Sequence, residues 1–189
     1  MGGHTLHLQA ESNSLFNWGD HHMTHSWKFA LLGIALCATM PAGAQTVSRL
    51  PSANPASPIV SAVTVPPGYT TYYISGTPAG PMNPNIPDGQ PGRWGDTTQQ
   101  TADSLGKLEA TLKQLGLTFG DVVKATVFIV ADPANGGKIN FPAMNAEWSK
   151  HFGTAAQPNK PARSTVQVNL ATPGALIEIE MVAVKKVKK

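Results

Sequence analysis

Residues 160–169 read KPARSTVQVN and residues 175–184 read ALIEIEMVAV, and both stretches alternate. In the first, Val166 and Val168 recur at every second position and Leu170 follows; in the second, Ile177, Ile179, Met181 and Ala183 do the same. Period two marks a half-buried strand. With Pro173-Gly174 as a hairpin tip, Val166 faces Met181, Val168 faces Ile179 and Leu170 faces Ile177, whereas a slip of one residue sets them against polar neighbours. The other face then carries Arg163, Thr165, Gln167 and Asn169 with Glu178 and Glu180. In this register Arg163 stands six residues from the position opposite Glu178, roughly 20 Å along a strand. The two cannot meet inside one hairpin. A site that uses both draws them from different subunits, or has other strands folded between them.

Upstream, Ile59 to Val65 and Thr71 to Ser75 are rich in β-branched and aromatic residues around a Pro-Pro-Gly turn at 66–68, which predicts two strands. Residues 76–95 are dense in Pro, Gly and Asn and read as a long loop of the kind that edges a site. Asp96 with Gln99 forms a capping box for a helix in which Ala102, Leu105, Leu108, Leu112 and Leu115 recur at three or four, with Gly116 as its stop. Asp121 to Val130 is a strand with two largely apolar faces, and Ile139 to Phe152 is a helix with Phe141, Met144, Trp148 and Phe152 on one stripe. His151 sits at that helix's end with no Ser or Cys nucleophile motif beside it. The order β-β-α-β-α-β-β predicts an α+β domain, one mixed sheet with two helices on one face and the other face left for partner subunits.

The N-terminal quarter reads differently. From Met23 the chain runs MTHSWKFALLGIALCATMPAGAQ: a base at Lys28, an apolar run from Phe29 to Ala38 and small residues up to Ala44. That is the pattern of a secretory signal, too short for a membrane span, with cleavage expected after Ala44. The expected location is periplasmic or secreted, with no membrane association after cleavage. Residues 45–58, QTVSRLPSANPASP, read as a flexible leader, 59–186 as the domain and 187–189 as a basic tail. Asp20, His21, His22 and His25 have metal-ligand character but precede the cleavage site, so no metal is expected; Cys37 leaves with the signal. Lys28 is the only base and Glu11 and Asp20 the only acids before residue 45, so the 14 bases and 11 acids of the chain become 13 and 9. Lys185, Lys186, Lys188 and Lys189 account for the excess; the domain body is neutral, which argues against a nucleic-acid partner.

KPARSTVQVN followed by ALIEIEMVAV resembles the signature of the RidA (YjgF/UK114) family, a P-A-R-S run before a strand and a closing E-I-E strand. YYISGTPA resembles its S-G segment, and TQQTADSLGKLEATLKQLGLTFGDVVKATVFIVAD and FPAMNAEWSKHF resemble its helices and central strand. The resemblance covers about residues 60–186. It implies a chorismate-mutase-like homotrimer with clefts between subunits, and hydrolysis of reactive 2-imino acids or their enamines to 2-keto acids and ammonia without a cofactor. By position, Arg163 would bind the substrate carboxylate and Glu178 would orient or activate water. Ser75 and Gly76 would supply pocket backbone, and Thr165, where many relatives have cysteine, and Asn145 would line the substrate site. The family's G-P-Y tyrosine is absent from PIVSAVTV at 58–65. This departure keeps a second reading, a non-catalytic trimer that binds small carboxylates or a partner protein. An RNA-cleaving role also attached to the family is opposed by the neutral body and the export signal.

Overall fold

The computed structural model describes residues 46–188; the expected signal sequence, Cys37 and the group Asp20, His21, His22 and His25 lie outside them. Six strands and two α-helices follow in order: β1 Ser48–Pro51, β2 Val60–Thr64, β3 Tyr69–Pro78, α1 Thr97–Gln114, β4 Val122–Ile129, α2 Phe141–Trp148, β5 Ala162–Gln167 and β6 Ile177–Lys186. A four-stranded sheet runs β3-β6-β4-β5, and β1 and β2 form a separate antiparallel ribbon. β4 and β5 are parallel while the other pairs in the larger sheet are antiparallel, so that sheet is mixed. Both helices bury their apolar side on one face of it: Leu105, Leu108 and Leu112 of α1 and Met144 and Trp148 of α2 join Ala125, Val127, Ile129, Ile177, Ile179 and Met181. This is the α+β class that the sequence predicts.

The hairpin expected from residues 163–184 does not form. β6 lies between β3 and β4, and β5 is the edge strand beyond β4. The apolar face assigned to β6 is correct, but its partners belong to β4: Ile177 faces Ile129, Ile179 faces Val127 and Met181 faces Ala125. The physical reason is that β4, apolar on both faces, takes an interior place in the sheet, its backbone paired with β6 on one edge and β5 on the other. β5 reaches its place through the α2 crossover required of a parallel pair. Val166, expected to face Met181, pairs with Phe128 and is 42% exposed.

The stretch read as a leader also needs correction, because it holds β1. Arg49 anchors that strand, donating to the carbonyls of Lys160 at 2.8 Å, Val122 at 3.2 Å and Gly120 at 3.3 Å. A four-residue strand ending at Pro51 carries little pattern of its own, so Pro and Ser content dominated the reading. β2 and β3 do not pair with each other; β2 pairs with β1, and Val60 N donates to Pro161 O at 3.1 Å at the start of β5.

α1 begins at the predicted Asp96 capping box. Its buried stripe differs at the N-terminal end, where Thr97, Gln100, Thr101 and Ser104 are buried and Ala102 is exposed. Each buried polar group has a partner: Thr97 Oγ1 donates to Asp132 at 2.6 Å, Ser104 Oγ to Thr77 O at 2.7 Å and Thr101 Oγ1 to Thr97 O at 2.6 Å. Gln100 donates to Gly174 O at 3.1 Å and accepts from Leu176 N at 2.6 Å, which ties the helix to the start of β6.

Candidate functional site

Arg163 stands opposite Ala125 in the β4–β5 pairing, and Ala125 is buried beneath the helices. Side chains directly opposite share a face, so Arg163 points to the helix side and meets α2. There Asn145 and Trp148, one helical turn apart, receive it. Arg163 Nη2 donates to Asn145 Oδ1 at 2.9 Å, and the guanidinium carbon lies 4.7 Å from the Trp148 ring centre and 5.9 Å from that of Phe141. Trp148 stacks on Phe152 at 4.3 Å, which immobilises the platform. Burial lowers the Arg163 pKa to about 10, so the group is charged at neutral pH.

Among the described residues, Arg163 Nε and Nη1 are buried without a hydrogen-bond partner, and so is Thr165 Oγ1 two positions along the same face. A guanidinium has five N–H donors in a planar fork, and Asn145 occupies one. Whichever Nη2 hydrogen Asn145 accepts, one complete two-donor edge stays unpaired. That edge matches a carboxylate, and a buried donor left unmatched costs about 1–3 kcal/mol. The arrangement stores an unmet demand for an anion.

Glu178 sits on the other side of the sheet. It is opposite Phe128 on β4 and Pro78 on β3, on the face turned away from the helices. The β3–β6 ladder is broken by a bulge, with Ser75 and Gly76 together opposing Glu180 between the pairs Ile74–Met181 and Thr77–Ile179. The bulge brings the Gly76 backbone against the Glu178 carboxylate: a Cβ on Gly76 would lie 2.0 Å from Glu178 Oε1. The glycine of the S-G segment is thus the space the carboxylate fills. Glu180 lies on the same open face and borders a depression of about 220 Å3 with Tyr73, Ser75, Lys124 and Thr126.

The candidate residues therefore form two groups. Arg163, Asn145 and Thr165 cluster between β5 and α2; Glu178, Ser75 and Gly76 cluster on the open face near β3. Two strand spacings and a three-residue offset separate Arg163 from Glu178, roughly 14 Å between backbones, with the sheet between their side chains. The hairpin reading had placed both on one face. Their separation within one chain holds, for the stronger reason that the faces are opposite.

Sequence reasoning missed Trp148 as a site residue because its helical spacing marks it as core, which it also is. The i, i+3 relation to Asn145 is the signal that could have found it. His151 packs its ring 5.0 Å from that of Phe119, and burial lowers its pKa. Among the described residues no group of three or more His, Cys, Asp or Glu is arranged to hold a metal ion, and no helix is long and apolar enough to cross a membrane.

The chain is 38% identical over 91 residues to a RutC family protein of Haemophilus influenzae and 38% identical over 90 residues to one of Pasteurella multocida. Each match covers 48% of this chain and 65% of the relative. A rat 2-iminobutanoate/2-iminopropanoate deaminase is 34% identical over 115 residues, 61% of this chain and 73% of the rat protein. The crystal structure of a Rid-family protein of unknown function from Yersinia pestis superposes with a TM-score of 0.54 at 28% identity, covering 74% of this chain and 98% of that one. The family model described as Endoribonuclease L-PSP matches residues 49–185, from β1 to the end of β6. The chain belongs to that family, the RidA/YjgF family that its P-A-R-S and E-I-E strands resemble.

Proposed function

We propose that this protein is an exported homotrimeric deaminase that hydrolyses reactive 2-imino acids, or their enamine tautomers, to 2-keto acids and ammonia. The carrying observation is the unpaired two-donor edge of Arg163, buried, charged and fixed by Asn145 and Trp148. A planar carboxylate is the ligand that such an edge fits, and an imine next to a carboxylate is already electrophilic at carbon. The name of the rat relative supports the same substrate class.

In this reading the carboxylate docks on Arg163 of one subunit while Glu178 of its neighbour faces the imine carbon with a water between. Glu178 takes a proton from that water as the C–O bond forms and the C=N pair moves onto nitrogen, and it returns that proton to the nitrogen, leaving a carbinolamine. Transfer of the second proton to nitrogen and collapse of the carbinolamine break the C–N bond, giving the keto acid and ammonia. Positioning and one general base suffice for an electrophile of this reactivity. Export rests on the signal pattern before Gln45; mass measurement of the protein recovered from the cell envelope is expected to show a chain starting at Gln45.

A non-catalytic trimer that binds small carboxylates is the second reading, favoured by the absence of a tyrosine in residues 58–65. Ammonia release from imines generated in situ by an amino-acid oxidase separates the two. The first reading expects acceleration that Arg163→Ala abolishes. The second expects 2-keto acid binding lost in Arg163→Ala, with no acceleration by the unmodified protein.

A further inference from the structure

One end of the molecule combines lysines with exposed aliphatic side chains, and no residue of the Arg163 or Glu178 groups belongs to it. β6 ends in Lys185 and Lys186, and Val187 N donates to Gly68 O at 2.9 Å, which holds the following residues against the β2–β3 turn. Lys185 Nζ donates to Gly116 O, which brings the C-terminal end of α1 to the same place. This end thus carries Leu115 at 43% exposure, Val187 at 53% and Val65 at 37%, together with Lys185, Lys186 and Lys188, all exposed. Lys186 and Lys188 make no ion pair among the described residues. A depression of about 520 Å3 opens beside them, bordered by Arg49, Tyr69 and one acid, Asp121.

We propose that this end docks on an anionic phospholipid bilayer, an inference independent of the deaminase reading. The charge complementarity is direct: the excess of bases over acids between residues 45 and 189 is four, and four lysines lie in the last five residues. Aliphatic side chains among lysines are what an interface of headgroups and acyl chains rewards, since the apolar groups enter the boundary while the long cations reach phosphate. A nucleic-acid surface would call for aromatic or arginine stacking over the same area. Here the exposed large side chains at this end are Leu and Val; Tyr69 is half-buried in its pairing with β6, and the one arginine, Arg49, is committed to three backbone carbonyls. The docking surface differs from the sequence expectation of no membrane association, which considered spans and not surfaces.

The test is flotation of the full chain with vesicles of equal parts phosphatidylglycerol and phosphatidylcholine, against phosphatidylcholine alone. Any contribution of the apolar run 29–38 is common to the unmodified chain and its variants, so the comparison is between them. Lys186→Gln/Lys188→Gln, which leaves the Lys185 contact intact, is expected to lower partitioning to the anionic vesicles about thirtyfold at low salt. Leu115→Ser/Val187→Ser is expected to weaken the binding that survives at high salt. Equal preference for anionic vesicles in the unmodified chain and the lysine variant overturns the proposal. So does binding of a single-stranded RNA oligomer that displaces the vesicles and is indifferent to Leu115→Ser/Val187→Ser, which would make the surface a polyanion site.

Discussion

A guanidinium lying on an indole and held at one nitrogen by an amide has its orientation set before a ligand arrives, so little ordering entropy opposes binding. Arg163→Met is therefore expected to weaken 2-keto acid binding by calorimetry at least a hundredfold, the loss of two charge-assisted hydrogen bonds. The same variant is expected to melt at an equal or higher temperature, because it replaces an incompletely satisfied buried charge by an apolar side chain of similar length. A lower melting temperature with binding retained would make Arg163 structural. Gly76→Ala tests the other group. The added Cβ displaces the Glu178 carboxylate, so turnover is expected to fall about a hundredfold or more while carboxylate binding at Arg163 persists. Arg163 was legible in the sequence because a proline-led charged residue at the start of an alternating strand is conspicuous. Trp148 was not, since helical spacing says only that a residue faces inward and cannot say that a cation will lie across its ring.

At the scale of elements, polar side chains lock the helices to the sheet. Asp132, 2% exposed, accepts from Thr97 N at 3.1 Å, Thr97 Oγ1 at 2.6 Å and Ala134 N at 2.8 Å, joining the start of α1 to the loop after β4. Asp132→Ala is expected to cost roughly 2–4 kcal/mol in chemical denaturation, since it strands two buried donors, Thr97 N and Oγ1. His151 sets a pH dependence. Its folded pKa is lowered by burial, so below its ordinary value near 6.5 the unfolded chain binds more protons and stability declines as pH falls. His151→Gln is expected to flatten the fall in melting temperature between about pH 7 and pH 5; an unchanged slope would show that other groups set it. The helices were readable from periodicity and caps, as Asp96 and Gln99 illustrate. Strand neighbours were not, because the apolar stripe of β6 fits β4 as well as it fits β5. Only the interior place of β4, with a strand on each edge, decides between them.

For the whole molecule, the open face of the sheet is the deciding feature. It carries Tyr73 at 84% exposure and Val166 at 42%, together with Glu178 and Glu180. A face so furnished suits burial against other subunits, and Tyr73→Glu is expected to shift the protein to a monomer in sedimentation, abolish turnover and leave the far-ultraviolet circular dichroism unchanged. Opposite faces for Arg163 and Glu178 mean that a site using both has to be built by two chains. Mixing tests that directly: Arg163→Ala and Glu178→Gln, each inactive alone, are unfolded together and refolded into mixed oligomers. With random assembly in a cyclic trimer, about a quarter of the interfaces pair an intact arginine with an intact glutamate. The expected result is recovery of about a quarter of the unmodified imine-hydrolysing activity. Mixed oligomers, verified by mass, that recover none would contradict the shared site.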